Sequence, residues 1–163
     1  MCGAFFRQLD HVENMKGCSC GVRIPMKEII KIEDYISASG KYPERLKHKE
    51  LTNEIKDNAR KLLAAVNQLL EDLKINNVKV SSGWRPSDVN AAIPNAAKKS
   101  SHMSGVALDM VDDKDQTMGK LIAARPDLLR KYNLFIEDLG STKGWVHLDQ
   151  ANRSDRPSRS FKP

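Results

Sequence analysis

Two short stretches of the sequence pair imidazole and carboxylate side chains at spacings that could do chemistry. In "SSHMSGVALDM", His102 precedes an alternating apolar run that ends on Asp109. In "GWVHLDQ", His147 is followed two residues later by Asp149. An aspartate that emerges from an apolar strand is costly to bury unless charge or hydrogen bonds compensate it. A divalent cation would supply that compensation, with His147 as a natural third ligand. Two imidazoles and one carboxylate with an open fourth position make a catalytic rather than a structural zinc site. Spacing alone leaves the plainer alternative open: a histidine that satisfies a loop and an aspartate that caps a turn.

Other polar groups cluster around these stretches. Arg85 directly follows "VKVSSGW", read below as a strand, and precedes Pro86, which extends and stiffens its backbone. A guanidinium there could form a fork with a substrate carboxylate or stabilise an oxyanion; a surface salt bridge is the alternative. Asn90 and Ser100 are candidates either for substrate contact or for hydrogen bonds that fix their loop. Trp84 and Trp145 each stand beside a candidate residue and are read as pocket walls, with core packing as the alternative. His11 and His48 are not taken as ligands.

The elements that must position these groups follow from periodicity. "PMKEIIKIEDYISASG" reads as a helix from Pro25 to Gly40 with Ile29, Ile30, Ile32, Tyr35 and Ile36 on one face. "KYPERLKHKE" reads as a polar connection. Thr52 is a good N-cap for a long amphipathic helix carrying Ile55, Ala59, Leu62, Leu63, Val66, Leu69, Leu70 and Leu73. "VKVSSGW" and "GVALDMV" read as strands separated by a loop. His102 sits where that loop enters the second strand, with Gly105 as the bend, and Asp109 lies near the strand's far end. A helix interrupted at Pro126 precedes two more short strands, "NLFIEDL" and "GWVHLDQ". The fold class is α+β: helices packed on a small, mainly antiparallel sheet. The 163 residues make one domain, with an extension over 1–24, a core over 25–150 and a basic tail over 151–163 that is read as loose.

Composition narrows the partners. The net charge of +6 arises from 27 basic and 21 acidic residues, which favours an anionic partner or simply a solubilising surface. No aromatic–basic interleaving accompanies the charge, so nucleic-acid binding ranks last. Nothing approaches a membrane span, and the N-terminus lacks the basic region and long apolar stretch of a secretion signal. Three cysteines, Cys2, Cys18 and Cys20, are read as free thiols in a reducing compartment. No second Cys or His cluster completes a zinc-finger spacing with them.

A family resemblance sharpens this reading. Ser100 to Asp109 matches the Ser-x-His-x-x-Gly-x-Ala-x-Asp pattern of the zinc D-Ala-D-Ala carboxypeptidase, dipeptidase and phage endolysin family. "SSGWRPSDVNAA" resembles that family's Ser-Gly-(aromatic)-Arg segment with its trailing Asn, and "GWVHLD" its Trp-x-His-x-Asp segment. The three motifs run in order from Ser81 to Asp149. The resemblance implies a Hedgehog-type fold, Zn2+ held by His102, Asp109 and His147, and peptidoglycan stem peptides as substrate. The bond cut would be D-Ala-D-Ala or L-alanyl-D-glutamate. The lack of a secretion signal favours a phage-type enzyme made in the cytoplasm that acts on the wall after release or virion delivery, and a monomer is expected.

The match has one gap. Many relatives carry an acidic residue three positions before the last histidine, where this chain has Gly144. Glu137 or Asp138 would then be the acid/base. Only one can point into the site from a strand, and Glu137 is favoured for its longer reach. Asp149 is cast as the partner that orients an imidazole. The missing acid also supports a second reading, a non-catalytic binding or assembly module that keeps zinc for structure.

Overall fold

In the computed structural model, which describes residues 27–154 and 156–163, the apolar stripe after Thr52 winds into one helix, α2 (Asn53–Asp72). Thr52 Oγ1 accepts the Ile55 N–H, which satisfies one of the donors a helix start leaves open. Ala59, Leu62, Leu63, Val66, Leu69 and Leu70 are buried along its inner face. They form one core cluster with Leu108, Met110, Ile136, Val146 and Leu148 from the strands.

Those strands are β1 (Val80–Ser82), β2 (Ala107–Val111), β3 (Phe135–Glu137), β4 (Trp145–Asp149) and β5 (Ser160–Phe161). They form one sheet in the order β1-β2-β4-β3-β5. All neighbours are antiparallel except β3 and β5, which are parallel. Successive side chains alternate between faces, so the core residues Leu108, Met110, Val146, Leu148 and Ile136 leave the other face to Asp109, His147, Asp149 and Glu137.

Register then aligns the polar face. Ser82 pairs with Asp109, Asp109 with His147, and Glu137 with Phe161. The Ile136–Leu148 pair sets Glu137 opposite His147 one step further on. A single row, Ser82–Asp109–His147–Glu137–Phe161, therefore crosses the whole sheet, and directly opposed residues share a face. A register shift between Val80 and Ser82 makes part of this possible. Such a bulge re-aims the strand, and it brings Ser82 rather than Ser81 opposite the aspartate.

Several local expectations are corrected. The first helix, α1, spans only Ile32–Ser37; Pro25 and the N-terminal extension with its cysteines lie outside the described residues. Ile30 cannot continue the helix because buried Asn67 takes both its N–H and its carbonyl, at 2.9 and 3.0 Å. The polar connection contains a 3-10 turn, Pro43–Lys47, whose Arg45 is buried and donates to the Trp84 carbonyl. The loop after Arg85 contains α3 (Ser87–Ala92), too short to reveal a helical period. The interruption at Pro126 stands: α4 (Thr117–Ala123) gives way to α5 (Pro126–Lys131). The tail is not loose at its end, since β5 adds to the sheet and Arg159 Nε donates to the Leu134 carbonyl. No helix among the described residues is long and apolar enough to cross a membrane.

Candidate metal centre

Asp109 and His147 face each other across β2 and β4, and His147 Nδ1 lies 2.7 Å from Asp109 Oδ1. His102 reaches the same carboxylate from the loop before β2, with Nε2 3.3 Å from Asp109 Oδ2. One ligand atom from each of the three residues lies within 4.8 Å of the others, and all three residues are buried.

The exit of β1 holds His102 in place. Its Nδ1 lies 2.7 Å from the Gly83 carbonyl, which can only accept, so Nδ1 carries the ring hydrogen and Nε2 is left as a lone pair. The Arg85 N–H donates to the His102 carbonyl, and the Trp84 indole N–H donates to the Met103 carbonyl. Position 83 requires glycine for packing reasons: a Cβ there would stand 2.0 Å from the Tyr35 carbonyl oxygen. Gly105, the expected bend, takes a φ of +77°.

This arrangement tests whether the residues fit a cation. His102 Nε2 is buried and has no hydrogen-bond partner, although it faces a carboxylate oxygen at 3.3 Å. Burial lowers the His102 pKa despite the neighbouring Asp109, so a proton does not readily fill the gap. Two electron-pair donors aimed at each other in a buried site are costly. A shared divalent ion relieves that cost, and the donor set suits one.

The rest of the electrostatics agrees. Burial alone would raise the Asp109 pKa, but the imidazoles of His102 and His147 outweigh it and hold the carboxyl well below its ordinary range. His147 shows the converse balance. Burial opposes its charge, yet hydrogen bonds to Asp109 and Asp149 push its pKa up to about 9. Without metal the ring is therefore a cation clamped between two carboxylates, its Nε2 3.5 Å from Asp149 Oδ2. A bound ion would take the place of the Nδ1 proton.

The flanking residues divide. Glu137 comes to the centre: its Oε2 lies 4.0 Å from His147 Nδ1, and burial raises its pKa above the ordinary carboxylate value. Asp138 is turned away along the chain, with its carboxylate 3.0 Å from where a Gly140 Cβ would stand. Arg85 also arrives, with Nη2 3.2 Å from Asp109 Oδ2 and Nε 3.0 Å from Ser82 Oγ. One edge of its fork is thus already in use. Gly144 has a φ of +85° with open space around it, a turn geometry that an aspartate or glutamate adopts poorly.

Three other candidates make contacts within the fold. Trp84 is 1 % exposed and belongs to the core, which corrects its reading as a pocket wall. Asn90 Nδ2 donates to the Ala97 carbonyl and closes the loop after α3. Ser100 Oγ accepts the His102 N–H and lines a cavity of about 620 Å3 between the loop and the start of α2, whose walls do not include the three ligands. Trp145 remains at the surface, 37 % exposed, at the start of the strand that bears His147.

Residues 41–149 match the family model described as peptidase M15. The chain belongs to the M15 peptidases. This is a zinc peptidase family that includes D-Ala-D-Ala carboxypeptidases and phage endopeptidases. Comparison with curated proteins and with solved structures returns no match. The M15 match contains His102, Asp109, Glu137 and His147 and stops at Asp149.

Two residues beyond that limit, both in the stretch read as a loose tail, also reach the centre. Arg153 pairs with Asp149, and Phe161 packs its ring against His147. One signal was available: Asp149, an acid two residues past His147 on the same strand face, needs a counter-charge besides one imidazole if it is buried.

Proposed function

We propose that this M15 peptidase is zinc-dependent and hydrolyses a peptide bond in peptidoglycan stem peptides, as a D-Ala-D-Ala carboxypeptidase or an L-alanyl-D-glutamate endopeptidase. The observation that carries the proposal is the convergence of His102 Nε2, Asp109 and His147 Nδ1 beside the Glu137 carboxylate. Two imidazole nitrogens with one carboxylate suit zinc among the common divalent ions. When bound, zinc would supply Lewis-acid polarisation of the scissile carbonyl and acidify a water at the open position.

The chain's own groups then have separate tasks. Glu137 accepts the water's proton at Oε2 and passes it to the departing amine, a role favoured by its raised pKa. Asp149 keeps the Nε2 side of His147 occupied, so that Nδ1 faces Asp109. Arg85 has its Nη1 side left for a substrate carboxylate, since Nε and Nη2 are engaged by Ser82 and Asp109. Both candidate substrates carry such a group beside the scissile bond: the C-terminal carboxylate of D-Ala-D-Ala, or the free α-carboxylate of a D-glutamate linked through its side chain. Trp145 offers a wall at the edge of the site.

The mixed helix and sheet arrangement is consistent with a Hedgehog-type fold, and the charge of +6 suits an anionic wall. A single domain, acting on that wall after release or virion delivery, completes the reading. The test is mass spectrometry of purified muropeptides incubated with the protein, with and without a chelator. Chelator-sensitive loss of a terminal alanine identifies a carboxypeptidase, and cleavage before D-glutamate identifies an endopeptidase. Intact muropeptides after incubation with metal-loaded protein would contradict hydrolysis and favour a non-catalytic zinc-containing module.

A further inference from the structure

The M15 match ends at residue 149, yet the chain beyond it returns to the metal centre. Arg153 Nη2 donates to Asp149 Oδ2 at 2.6 Å, and its Nε donates to Oδ1 at 3.3 Å. This two-armed pairing matches the planar carboxylate and fixes its orientation. Asp149 is fully buried, while the Arg153 side chain is 31 % exposed. The aspartate's Oδ2 then lies 3.5 Å from His147 Nε2.

Arg153 is held in its turn. Its guanidinium lies 3.5 Å above the centroid of the Phe161 ring, close enough for a cation–π contact. The same ring meets the His147 imidazole edge-on, with centroids 5.8 Å apart. Phe161 is itself fixed on the sheet, because its carbonyl accepts the Asp138 N–H at 2.7 Å and its Cα pairs with that of Glu137. Arg153, Phe161, Asp149 and His147 thus form a closed ring of contacts on one side of the ligand cluster.

We propose that Arg153 is a positioning residue of the metal centre, acting through Asp149 to hold His147 with Nε2 protonated and Nδ1 turned toward Asp109. An imidazole has two nitrogens, and the hydrogen bond at one decides which is free to ligate. Asp149 can perform that selection only if its carboxylate is held in one orientation, and the two-armed pairing with Arg153 holds it there. Phe161 is the plate on which the guanidinium rests. This assignment rests on the metal-binding reading of the site and is independent of the substrate.

The test is zinc affinity of the full-length chain, measured by competition with a chromogenic chelator for wild type, Arg153→Gln, Asp149→Asn and the double variant. Arg153→Gln should weaken zinc binding about 10-fold or more, within the 10–100-fold range usual for partners of ligating histidines. Asp149→Asn should weaken it at least as much. The double variant should bind within about twofold of Asp149→Asn alone, because residues acting through one contact are non-additive. Arg153→Lys keeps charge over Phe161 but loses the fork, and it should fall between wild type and Arg153→Gln. It also serves as the reporter should Arg153→Gln fail to fold, and wild-type affinity in Arg153→Lys would then overturn the assignment.

Two other results overturn it: Arg153→Gln within twofold of wild type, or a double variant whose loss is the product of the single losses. Failure of the proposed activity reads out differently. Wild type that binds zinc but leaves muropeptides intact, with the expected affinity losses in the variants, refutes the hydrolase reading and leaves Arg153 in its role.

Discussion

Glu137 Oε2 and His147 Nδ1 stand 4.0 Å apart on neighbouring strands. His147 lies directly opposite Asp109 on the next strand. This relationship puts a carboxylate beside the ligand cluster without help from position 144. Glu137→Gln should therefore retain metal but lose turnover by about 10²–10⁴-fold, the usual contribution of a general acid/base. Asp138→Asn should leave turnover close to wild type. Steady-state kinetics with zinc content measured on the same samples checks both, and full activity in Glu137→Gln would remove Glu137 from the mechanism.

The family's usual acid cannot simply be restored. Gly144 has a φ of +85°, where a side chain is strained whatever space surrounds it. Gly144→Asp should destabilise the fold by about 1 kcal/mol without raising kcat. A thermal melt that equals wild type, or a gain in turnover, would show that the turn tolerates an acid there.

Arg85 offers a test that depends on the substrate. Arg85→Ala should raise KM about 10-fold or more for substrates with a carboxylate beside the cut, the size expected for one lost charged hydrogen bond. Amidated analogues should lose much less. Equal losses on both would assign Arg85 to Asp109 and Ser82 alone.

The metal-free protein should have a distinctive pH profile. His147 has its pKa raised to about 9, so its protonated form adds stability that is complete below roughly pH 6.5 and lost as pH rises through 9. Asp109 has its pKa depressed, so its ionised form adds stability above the ordinary carboxylate range and loses it at lower pH. Chelator-treated protein should then melt at progressively lower temperature from pH 6.5 to 9. Metal-loaded protein should escape this decline, since the ion replaces the Nδ1 proton. Matching profiles for the two forms would count against the clamped imidazolium.

These expectations draw unequally on what the sequence makes visible. The long helix α2 was legible because its stripe repeats over five turns' worth of apolar positions behind a Thr52 cap, and local periodicity outlasts tertiary noise. His102, Asp109 and His147 were legible as a motif; strand alternation says that only one of Glu137 and Asp138 can face the site, and side-chain reach favours Glu137. The remainder depends on contacts between distant segments. Ile30 leaves the helical pattern because of Asn67, thirty-seven residues away. The β1 bulge that re-aims Ser82 has no local sign. β5 spans only Ser160–Phe161, too few residues for alternation, so Arg153 and Phe161 fall within the stretch read as a loose basic tail. Trp84 was placed by adjacency to Arg85, but successive residues need not share an environment, and its ring entered the core.

On the proposed reading, three side chains from one loop and two strands share a single ion. Zinc titration of metal-stripped wild type by calorimetry, beside His102→Ala, decides whether they do. Wild type should bind one zinc per chain, and His102→Ala should bind none at the same concentrations. A wild type that takes up no zinc, or a His102→Ala variant that keeps near-stoichiometric metal, would contradict the account.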